Sequence, residues 1–510
     1  MSHADLLAAP KPSPTPTTPV IPDPGTFFGN LVDELGFTRW ITPALWLLGA
    51  ALVLLIARRY GFGYYLIKAA VRRDADLARS AVQAARIRRR WPHLAQNLKL
   101  VLTDRTNITA HNAAVVLPAG ATPPKPKIVI PRMRVTPDRY GVICNAKTVA
   151  GVGLTEWQKA SRHLADDWSA VRVAVTQTKP GKIRIRAVRA DPLAEPTTYA
   201  PDPEHHQAPA DLRTIEVGLD EYAEPVSLRL EGVSGVCVCG LPGYGKSSFF
   251  NNLITRLSPS PRVLFIGLDG KTDDPEQGDF GEVADRFTLL RGDDLEQANE
   301  LLRQLCEFGR ARSRSIRLVM GRKNIWHAEG PTADWPLIVL IIDEAHTFFE
   351  QVKDGGDKEL RRRNALAAQN AMYVQELIKK RRAVGMVTFL ATQKGTGDAI
   401  PTFIRDVCSV SLAFACRTIE AAVAALGDDI RQYPEANPVA LQDPVYIGVA
   451  SMAVQGRPGF TRVRMPYVPD TIAAAVATRH REIVTARNEL PPVPVPAAAI
   501  GGHLDDEEDD

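Results

Sequence analysis

The chain has 510 residues, of which 45% are hydrophobic and 24% are charged, so it can hold about three domains of 100–200 residues. This composition excludes a wholly disordered chain, a disulfide-rich scaffold and a protein with many membrane spans. The net charge is +4, but the final six residues are all acidic and the rest of the chain carries +10, which fits either a polyanionic partner or an ordinary solvated surface. Six cysteines without a CxxC pair favour a reducing compartment and argue against a zinc site.

The N-terminal region contains a proline-rich stretch followed by one apolar segment. Residues 1–38 include KPSPTPTTPVIPDPG, which cannot form the interior of a helix or strand, and they are predicted to be a disordered tail. Residues 40–57 carry no charge, and as a helix they would extend about 27 Å, close to the hydrocarbon thickness of a bilayer. We predict a single transmembrane helix within residues 39–59; the alternative is a helix buried in a protein core.

The charges that flank the apolar segment predict its orientation. Residues 58–90 contain ten basic and two acidic side chains, whereas residues 1–38 contain one lysine and four acids. This excess of positive charge places the chain after the segment in the cytoplasm. Residues 60–98 are predicted to continue as a basic juxtamembrane helix, so we expect a single-pass protein of the cell membrane.

Residues 99–190 are predicted to form a small α+β domain. A helical pattern in TEWQKASRHLADDW precedes two alternating runs, AVRVAV and KIRIRAV, which are joined by a Pro-Gly turn and predict a β-hairpin. One face of this hairpin is apolar, and the other would be either a solvated surface or a nucleic-acid contact. The basic side chains of that second face are Arg172, Lys182, Arg184 and Arg186. The proline-rich residues 191–212 are predicted to be a linker.

Residues 213–467 alternate between apolar strands and helices. The strand candidates are GVCVC, RVLFIGLD, PLIVLIID, GMVTFLAT, VCSVSLAFAC and VYIGVA. Near-continuous apolar strands separated by helices predict an α/β domain with a mostly parallel sheet that is covered on both faces. We expect a C-terminal helix over residues 468–490 and a disordered acidic tail over residues 491–510.

The strongest motif is Gly240–Ser247, GLPGYGKS, which fits G-x-x-x-x-G-K-[ST] between a predicted strand and a predicted helix. This is the context of a phosphate-binding loop, in which backbone N–H groups and a helix N-terminus surround the phosphates of ATP. Lys246 is expected to contact the β- and γ-phosphates, and Ser247 is expected to bind Mg²⁺. The predicted nucleotide-binding residues are Gly240, Gly243, Tyr244, Gly245, Lys246, Ser247 and Ser248.

Two further strand ends supply polar groups. The strand PLIVLIID ends at Asp343, which is predicted to hold the Mg²⁺ shell, and Glu344 is the candidate for polarising the attacking water. The strand that ends in LATQ places Gln393 where its amide can sense the γ-phosphate. The string Asp343–His346 also spells the DEAH of one helicase class, but too little chain follows it for a second motor lobe with arginine-rich motifs.

Several blocks resemble the FtsK/SpoIIIE family of DNA translocases, which includes TraB-like plasmid-transfer proteins. The blocks occur in the family's order and are GLPGYGKSSFFNNLITRL, VLFIGLDGK, GRKNIW, LIVLIIDEAH and ELIKKRRAVGMVTFLATQKGTGDAIPTFIRD. Arg382 and Gly385 match the family's RAxG step. The resemblance covers residues 213–467 and implies a RecA-like P-loop ATPase that forms a homo-hexameric ring and pumps double-stranded DNA through its centre. Pro242 and Tyr244 depart from the small residues that the family has inside the phosphate loop.

A ring of this kind needs an arginine from the neighbouring subunit and basic side chains along the DNA. The candidates for the arginine finger are Arg417 and Arg405, and either could instead be a structural ion-pair residue. DNA contacts should be directed at phosphates and independent of sequence, although a solvated basic helix face gives the same pattern. The candidate DNA contacts are Lys353, Lys358, Arg361, Arg362, Arg363 and Lys394.

The sequence therefore predicts a membrane-anchored, ATP-driven DNA translocase that acts in conjugative or mobile-element transfer or in chromosome segregation. Two alternatives stay open: a secretion-coupling ATPase that moves protein or protein-linked single-stranded DNA, and a nucleotide-binding membrane scaffold without turnover. A single phosphate loop disfavours the tandem motors of type VII secretion. The short interval between Gly270 and Trp335 leaves little room for the helical insertion of type IV coupling proteins.

Overall fold

The computed structural model describes residues 48–49, 63–104, 126–353, 355–393, 399–457 and 459–494. The predicted tail of residues 1–38 and nearly all of the predicted transmembrane segment lie outside the described residues, as does most of the predicted acidic tail. Within the described ranges, no helix combines the length and the apolar character that a membrane crossing requires.

The first part of the described chain folds into a small α+β domain. Its elements are α1 (Gly63–Arg72), α2 (Ala75–Asn97), β1 (Leu102–Asp104), β2 (Lys127–Val129), β3 (Met133–Asp138), β4 (Gly141–Lys147), α3 (Leu154–Trp168), β5 (Arg172–Lys179) and β6 (Lys182–Val188). Strands β3 to β6 form an antiparallel sheet in the order β3-β4-β6-β5, and β1 pairs with β2. The predicted hairpin is confirmed, because β5 and β6 pair with the buried Val175 opposite Ile185.

Helix α2 belongs to the core of this small domain. Asp74 caps it by accepting a hydrogen bond from the backbone N–H of Leu77 at 3.0 Å. The Trp91 indole of α2 stacks on Trp157 of α3 with ring centroids 5.4 Å apart, and its N–H donates to the carbonyl of Pro131 at 2.9 Å. The helix expected as a juxtamembrane segment is thus built into the domain. Apolar side chains recur along it at helical spacing among the arginines: Ala81, Ala84, Ile87, Trp91 and Ala95.

The second part of the chain forms a ten-stranded sheet with helices. Its elements are β7 (Thr214–Asp220), β8 (Pro225–Arg229), β9 (Gly235–Cys239), α4 (Lys246–Leu257), β10 (Val263–Asp269), β11 (Phe287–Arg291), α5 (Leu295–Met320), β12 (Leu337–Asp343), α6 (His346–Phe349), α7 (Lys358–Lys380), β13 (Met386–Thr392), α8 (Thr402–Arg405), β14 (Val410–Ala413), α9 (Ile419–Leu426), β15 (Val449–Ala453), β16 (Phe460–Arg464) and α10 (Asp470–Arg479). The strand order is β11-β10-β12-β13-β9-β14-β15-β16-β7-β8.

The sheet has a parallel half and an antiparallel half. Strands β11, β10, β12, β13, β9 and β14 pair in parallel, and β15, β16, β7 and β8 extend them with antiparallel pairs. Every residue of β9, β12 and β13 is buried, so both faces of the parallel half are covered as predicted. Because β13 lies between β9 and β12, the carboxyl ends of these three strands are adjacent.

Some predicted elements differ in length from the observed ones. The expected C-terminal helix of residues 468–490 ends at Arg479. Beyond it the backbone N–H of Asn488 donates to the carbonyl of Thr288 in the edge strand β11 at 2.8 Å, which holds the chain in a non-helical conformation. The residues predicted as a strand around VYIGVA begin with a 3-10 turn, and β15 starts at Val449.

The predicted linker of residues 191–212 is packed against the large sheet. Leu193 is fully buried, and its carbonyl accepts a hydrogen bond from Nε of Arg464 at 2.8 Å. The backbone N–H of Tyr199 donates to the carbonyl of Tyr467 at 2.8 Å, and the guanidinium of Arg256 lies 3.9 Å from the centroid of the Tyr199 ring. The linker therefore continues the surface of the large domain.

The basic face of the β5–β6 hairpin meets an acidic turn, residues 220–224, which joins β7 to β8. Arg184 pairs with Glu224 at 2.8 Å, and Nε of Arg186 donates to the carbonyl of Tyr222 at 2.6 Å. Arg172 pairs with Asp191 at 3.1 Å. These three arginines therefore join the hairpin to the neighbouring domain and the linker, whereas Lys182 on the same face is exposed.

Candidate nucleotide-binding site

The loop between β9 and α4 has the backbone of a phosphate-binding loop. Gly240, Gly243 and Gly245 have φ angles of 151°, 77° and 112°, a region that side chains with a Cβ rarely adopt. A Cβ on Gly240 would also lie 2.6 Å from the Cβ of Phe414. Helix α4 begins directly after the loop at Lys246, so its free N–H groups face the position expected for phosphates.

Lys246 is folded back onto its own loop. Its side chain is buried, and Nζ donates to the carbonyls of Gly240 at 2.8 Å and Leu241 at 3.2 Å. Burial lowers the pKa of the Lys246 ammonium, while the nearby carboxylates of Glu344 and Asp343 act in the opposite direction. The ammonium is thus already held at the mouth of the loop, between carbonyls that phosphate oxygens can replace.

Asp343 and Glu344 lie at the end of β12 as predicted. Oδ1 of Asp343 and Oε1 of Glu344 are buried and have no hydrogen-bond partner among the described residues. Oε2 of Glu344 accepts a hydrogen bond from the backbone N–H of Gln393 at 3.2 Å and lies 3.2 Å from Nδ1 of His346. Glu344 has φ of 46°, an unusual value for a residue with a side chain, and such strain is typical of functional sites.

The other predicted residues occupy several positions around the loop. Ser248 lies half-buried in the first turn of α4, and Gln393 follows β13 and contacts Glu344 through its backbone. The Tyr244 hydroxyl donates to the carbonyl of Gln442 at 2.6 Å, and the Gln442 amide in turn donates to the carbonyl of Arg417 at 3.4 Å. The departure from the family pattern at Tyr244 therefore has a structural role at the tip of the loop.

The two arginine-finger candidates differ in their surroundings. Arg417 is exposed, and within the described chain no ion pair involves its guanidinium. Arg405 donates to the carbonyl of Ala424 in α9 and to Oγ1 of Thr402 at 3.1 Å. Arg405 thus anchors α9 within the chain, whereas the guanidinium of Arg417 is exposed.

The candidate DNA contacts surround the start of α7. Lys353 and Lys358 are exposed, and Arg362 pairs with Glu296 of α5 at 2.8 Å. Arg361 donates to the carbonyl of Gly356 at 2.9 Å. Arg363 lies half-buried on α7, and Lys394 lies outside the described residues. Among these candidates, Lys353, Lys358, Arg361 and Arg362 are exposed, and the two arginines also make the contacts given above.

Sequence reasoning missed three charged residues beside the loop. Lys271 and Asp279 form an ion pair, and Nζ of Lys271 is also 2.8 Å from Oδ2 of Asp343. Asp279 accepts a hydrogen bond from the Ser247 hydroxyl at 2.8 Å. Asp269, at the end of β10, accepts from the backbone N–H groups of both Lys271 and Asp279. In the sequence, the block VLFIGLDGK contains Asp269 and Lys271, but no pattern indicated that they lie beside Asp343.

The electrostatics of this group follow from its burial and its charges. Burial would lower the pKa of the Lys271 ammonium, but the carboxylates of Asp343 and Asp279 outweigh it and raise that pKa. Burial raises the pKa of Asp269 to about 6, and the negative charges of Asp343 and Asp279 act in the same direction. Lys271 therefore stays cationic at neutral pH.

The oxygen atoms at this position suit Mg²⁺. The hydroxyl of Ser247 and the carboxylate of Asp343 are hard ligands of the type that Mg²⁺ prefers, and Oδ1 of Asp343 is buried without a hydrogen-bond partner in the described chain. No group of three or more His, Cys, Asp or Glu side chains within the described ranges is arranged to hold a metal. The residues thus fit Mg²⁺ that binds together with a nucleotide, whose phosphates would complete the ligand shell.

The phosphate loop, the acidic end of β12 and the position of β13 between β9 and β12 together define a P-loop nucleoside triphosphatase fold. The α/β P-loop fold that the resemblance to the FtsK/SpoIIIE family implied is thereby confirmed in the parallel half of the sheet.

Comparison with known proteins gives similarities of fold. No protein-family model and no curated protein matches the chain. The pCW3 conjugation coupling protein TcpA, solved in monomer form with ATPγS, is 17% identical with a TM-score of 0.44, and the match covers 67% of this chain and 90% of that one. The cytoplasmic domain of the type VII secretion ATPase EccC of Thermomonospora curvata is 17% identical with a TM-score of 0.41, covering 60% of this chain and 35% of that one.

A third solved structure is EssC (ATPases 2 and 3) of Geobacillus thermodenitrificans, which is 12% identical with a TM-score of 0.39 over 58% of this chain and 55% of that one. At these identities the similarities concern the fold alone. The function of the present chain therefore has to be argued from its own side chains.

Proposed function

We propose that this chain is a membrane-anchored, ATP-driven translocase that moves double-stranded DNA through a homo-hexameric ring. The observation that carries the ATP-hydrolysing part of the proposal is the carboxylate of Glu344, which is 4% exposed and has one oxygen without a hydrogen-bond partner among the described residues. Leaving a buried carboxylate oxygen unpaired is costly. A protein that only binds nucleotide has no use for such a group, whereas a hydrolase can use it to accept a proton from water.

Each residue of the site has one task in the proposed reaction. Lys246 exchanges the carbonyls of Gly240 and Leu241 for phosphate oxygens, and the backbone of the loop holds the remaining phosphate charge. Oε1 of Glu344 orients the attacking water and accepts its proton, while the backbone N–H of Gln393 fixes Oε2. Mg²⁺ held by Ser247 and Asp343 would neutralise charge that develops on the β- and γ-phosphates.

Coupling to DNA requires contacts between subunits and along the polymer. We assign the arginine finger to Arg417, because its guanidinium is exposed and without an ion pair in the described chain. Lys353 and Lys358 are assigned to DNA phosphates, because they are exposed near the start of α7. The predicted transmembrane helix within residues 39–59 would anchor the ring, with the motor in the cytoplasm.

The test is DNA-stimulated ATP hydrolysis by the full-length chain in detergent. The full chain is used because truncation at residue 99 would remove α2 from the core of the small domain. We expect strong stimulation by duplex DNA, none in a Lys246→Ala variant, and a ring of six subunits by electron microscopy. Stimulation by single strands or by a peptide would favour a secretion-coupling ATPase. Absence of hydrolysis with every cofactor and polymer would leave a nucleotide-binding scaffold.

A further inference from the structure

A lysine outside the predicted site lies between the two predicted Mg²⁺ ligands. Nζ of Lys271 is 2.8 Å from Oδ2 of Asp343 and forms an ion pair with Asp279. Oδ2 of Asp279 accepts the hydrogen bond of the Ser247 hydroxyl at 2.8 Å. Ser247, Asp279, Lys271 and Asp343 therefore form one continuous chain of polar contacts, with a positive charge in the middle.

The backbone holds this lysine in place. Oδ1 of Asp269 accepts from the backbone N–H of Lys271 at 3.0 Å, and Oδ2 accepts from the backbone N–H of Asp279 at 3.2 Å. Gly278 lies so close that a Cβ there would be 2.2 Å from Oδ2 of Asp269. The carbonyl of Gly270 accepts from Oγ1 of Thr347 at 3.0 Å. Lys271 thus starts from a backbone that is fixed on both sides, and its side chain is only 29% exposed.

We propose that the ammonium of Lys271 is a built-in counter-ion for the Mg²⁺ ligands and competes with Mg²⁺ for them. The carboxylate that the metal requires is the one that Lys271 contacts. Two cations that share this carboxylate at such short distances would repel each other in a partly buried site. Lys271 contacts Oδ2 of Asp343 and leaves Oδ1 without a partner in the described chain, so Mg²⁺ on Oδ1 and the Lys271 ammonium on Oδ2 would weaken each other. The inference rests on the nucleotide site proposed above.

The competition makes metal binding depend on the nucleotide. Mg²⁺ alone would weaken the ion pair between the Lys271 ammonium and Asp343 in a half-buried position, and only Asp279 would then balance the charge of Lys271, which is costly. The phosphates of a nucleotide bring negative charge that can pair with the Lys271 ammonium. Lys271 would thus admit Mg²⁺ as a complex with nucleotide and disfavour the free metal.

The inference is tested by binding, without turnover and without DNA. The full-length protein in detergent is titrated with a fluorescent, non-hydrolysable ATP analogue at a series of Mg²⁺ concentrations. We expect Lys271→Met, which keeps the aliphatic stem, to lower the half-saturating Mg²⁺ concentration about tenfold, equivalent to about 1.4 kcal/mol, and to weaken binding in EDTA. Lys271→Arg should behave like the wild type, because it keeps the charge.

The matched control is Lys379→Ala, which changes an exposed lysine at the end of α7. This variant should keep the half-saturating Mg²⁺ concentration and the binding of the analogue in EDTA unchanged. An unchanged Mg²⁺ dependence in folded Lys271→Met would overturn the inference. Equal loss of analogue binding at all Mg²⁺ concentrations would also overturn it, because Lys271 would then be a phosphate ligand only. If circular dichroism shows that Lys271→Met is unfolded, Lys271→Gln replaces it under the same criteria. A failure of DNA translocation affects none of these readings.

Discussion

The two halves of the ten-stranded sheet are built in different ways and carry different parts of the molecule. The parallel half consists of buried apolar strands, and the ends of β9, β12 and β13 bring together Gly240, Asp343 and Gln393. The antiparallel half contains partly polar strands, and the turn between β7 and β8 contacts the small domain through charged side chains. The candidate nucleotide site is therefore built from the parallel half, while the antiparallel half contacts the small N-terminal domain.

The largest effect is expected from a substitution in the parallel half that stops ATP hydrolysis and leaves the fold intact. Glu344→Gln should lower ATP hydrolysis about 10²–10⁴-fold, because the amide cannot accept the proton of water, and should leave binding of an ATP analogue intact. Rates and binding constants are measured on the same preparation. Glu359→Gln, which changes an exposed acid in the first turn of α7, serves as the control. Retained hydrolysis would show that another group activates the water.

In the antiparallel half, substitution of a buried arginine should lower the free energy of unfolding. Arg464 of β16 is 1% exposed and donates to the carbonyls of Leu193 and Ile447. Arg464→Met should lower the free energy of unfolding by about 4 kcal/mol, because several buried carbonyls lose their donor at once. Denaturant titration measures the loss, and Arg481→Met at an exposed position should cost less than about 0.5 kcal/mol. Equal effects of the two substitutions would contradict the assignment.

The stability of the parallel half should depend on pH through Asp269 at the end of β10. The folded-state pKa of Asp269 is about 6, raised from 3.8 by burial. The stability that this proton supplies is therefore fully present below about pH 4 and is lost as the pH rises through about 6. Relative to Asp269→Asn, the wild type should lose no more than about 3 kcal/mol across that window. Parallel stability curves for the two proteins would show that Asp269 ionises normally.

The smallest effect is expected where the two domains meet. The Arg184–Glu224 pair is partly exposed, so Glu224→Gln should cost less than about 1 kcal/mol. The loss should shrink further in high salt, because added ions screen partly exposed charges. Denaturant titration at low and high salt checks this prediction. The rate of ATP hydrolysis by the full-length Glu224→Gln variant should equal that of the wild type. A large, salt-independent loss would place this pair among the buried determinants of the fold.

The parallel half could be predicted from the sequence because its signals are local. Strands β9, β10, β12 and β13 are unbroken apolar runs, and the phosphate loop and Asp343 follow such runs directly. The antiparallel half is harder to predict, because its strands lack unbroken apolar runs and β16 pairs with β7, a segment far away in sequence. The contact between Lys271 and Asp343 depends on the pairing of β10 with β12, which no local pattern encodes.

Helix α2 follows the predicted basic helix, but its place in a protein core was not predicted. Its buried residues Ala81, Ala84, Ile87, Trp91 and Ala95 recur at helical spacing, and their partners, such as Trp157, lie far away in sequence.

The hydroxyl of Tyr244 ties the tip of the phosphate loop to Gln442, whose side chain holds the backbone of Arg417. Two hydrogen bonds therefore connect the tip of the phosphate loop to Arg417, which we proposed as the arginine finger. The tip of the loop and this arginine cannot move independently while both bonds persist. A change in the conformation of the loop tip would therefore be felt at the backbone of Arg417, on the far side of Gln442.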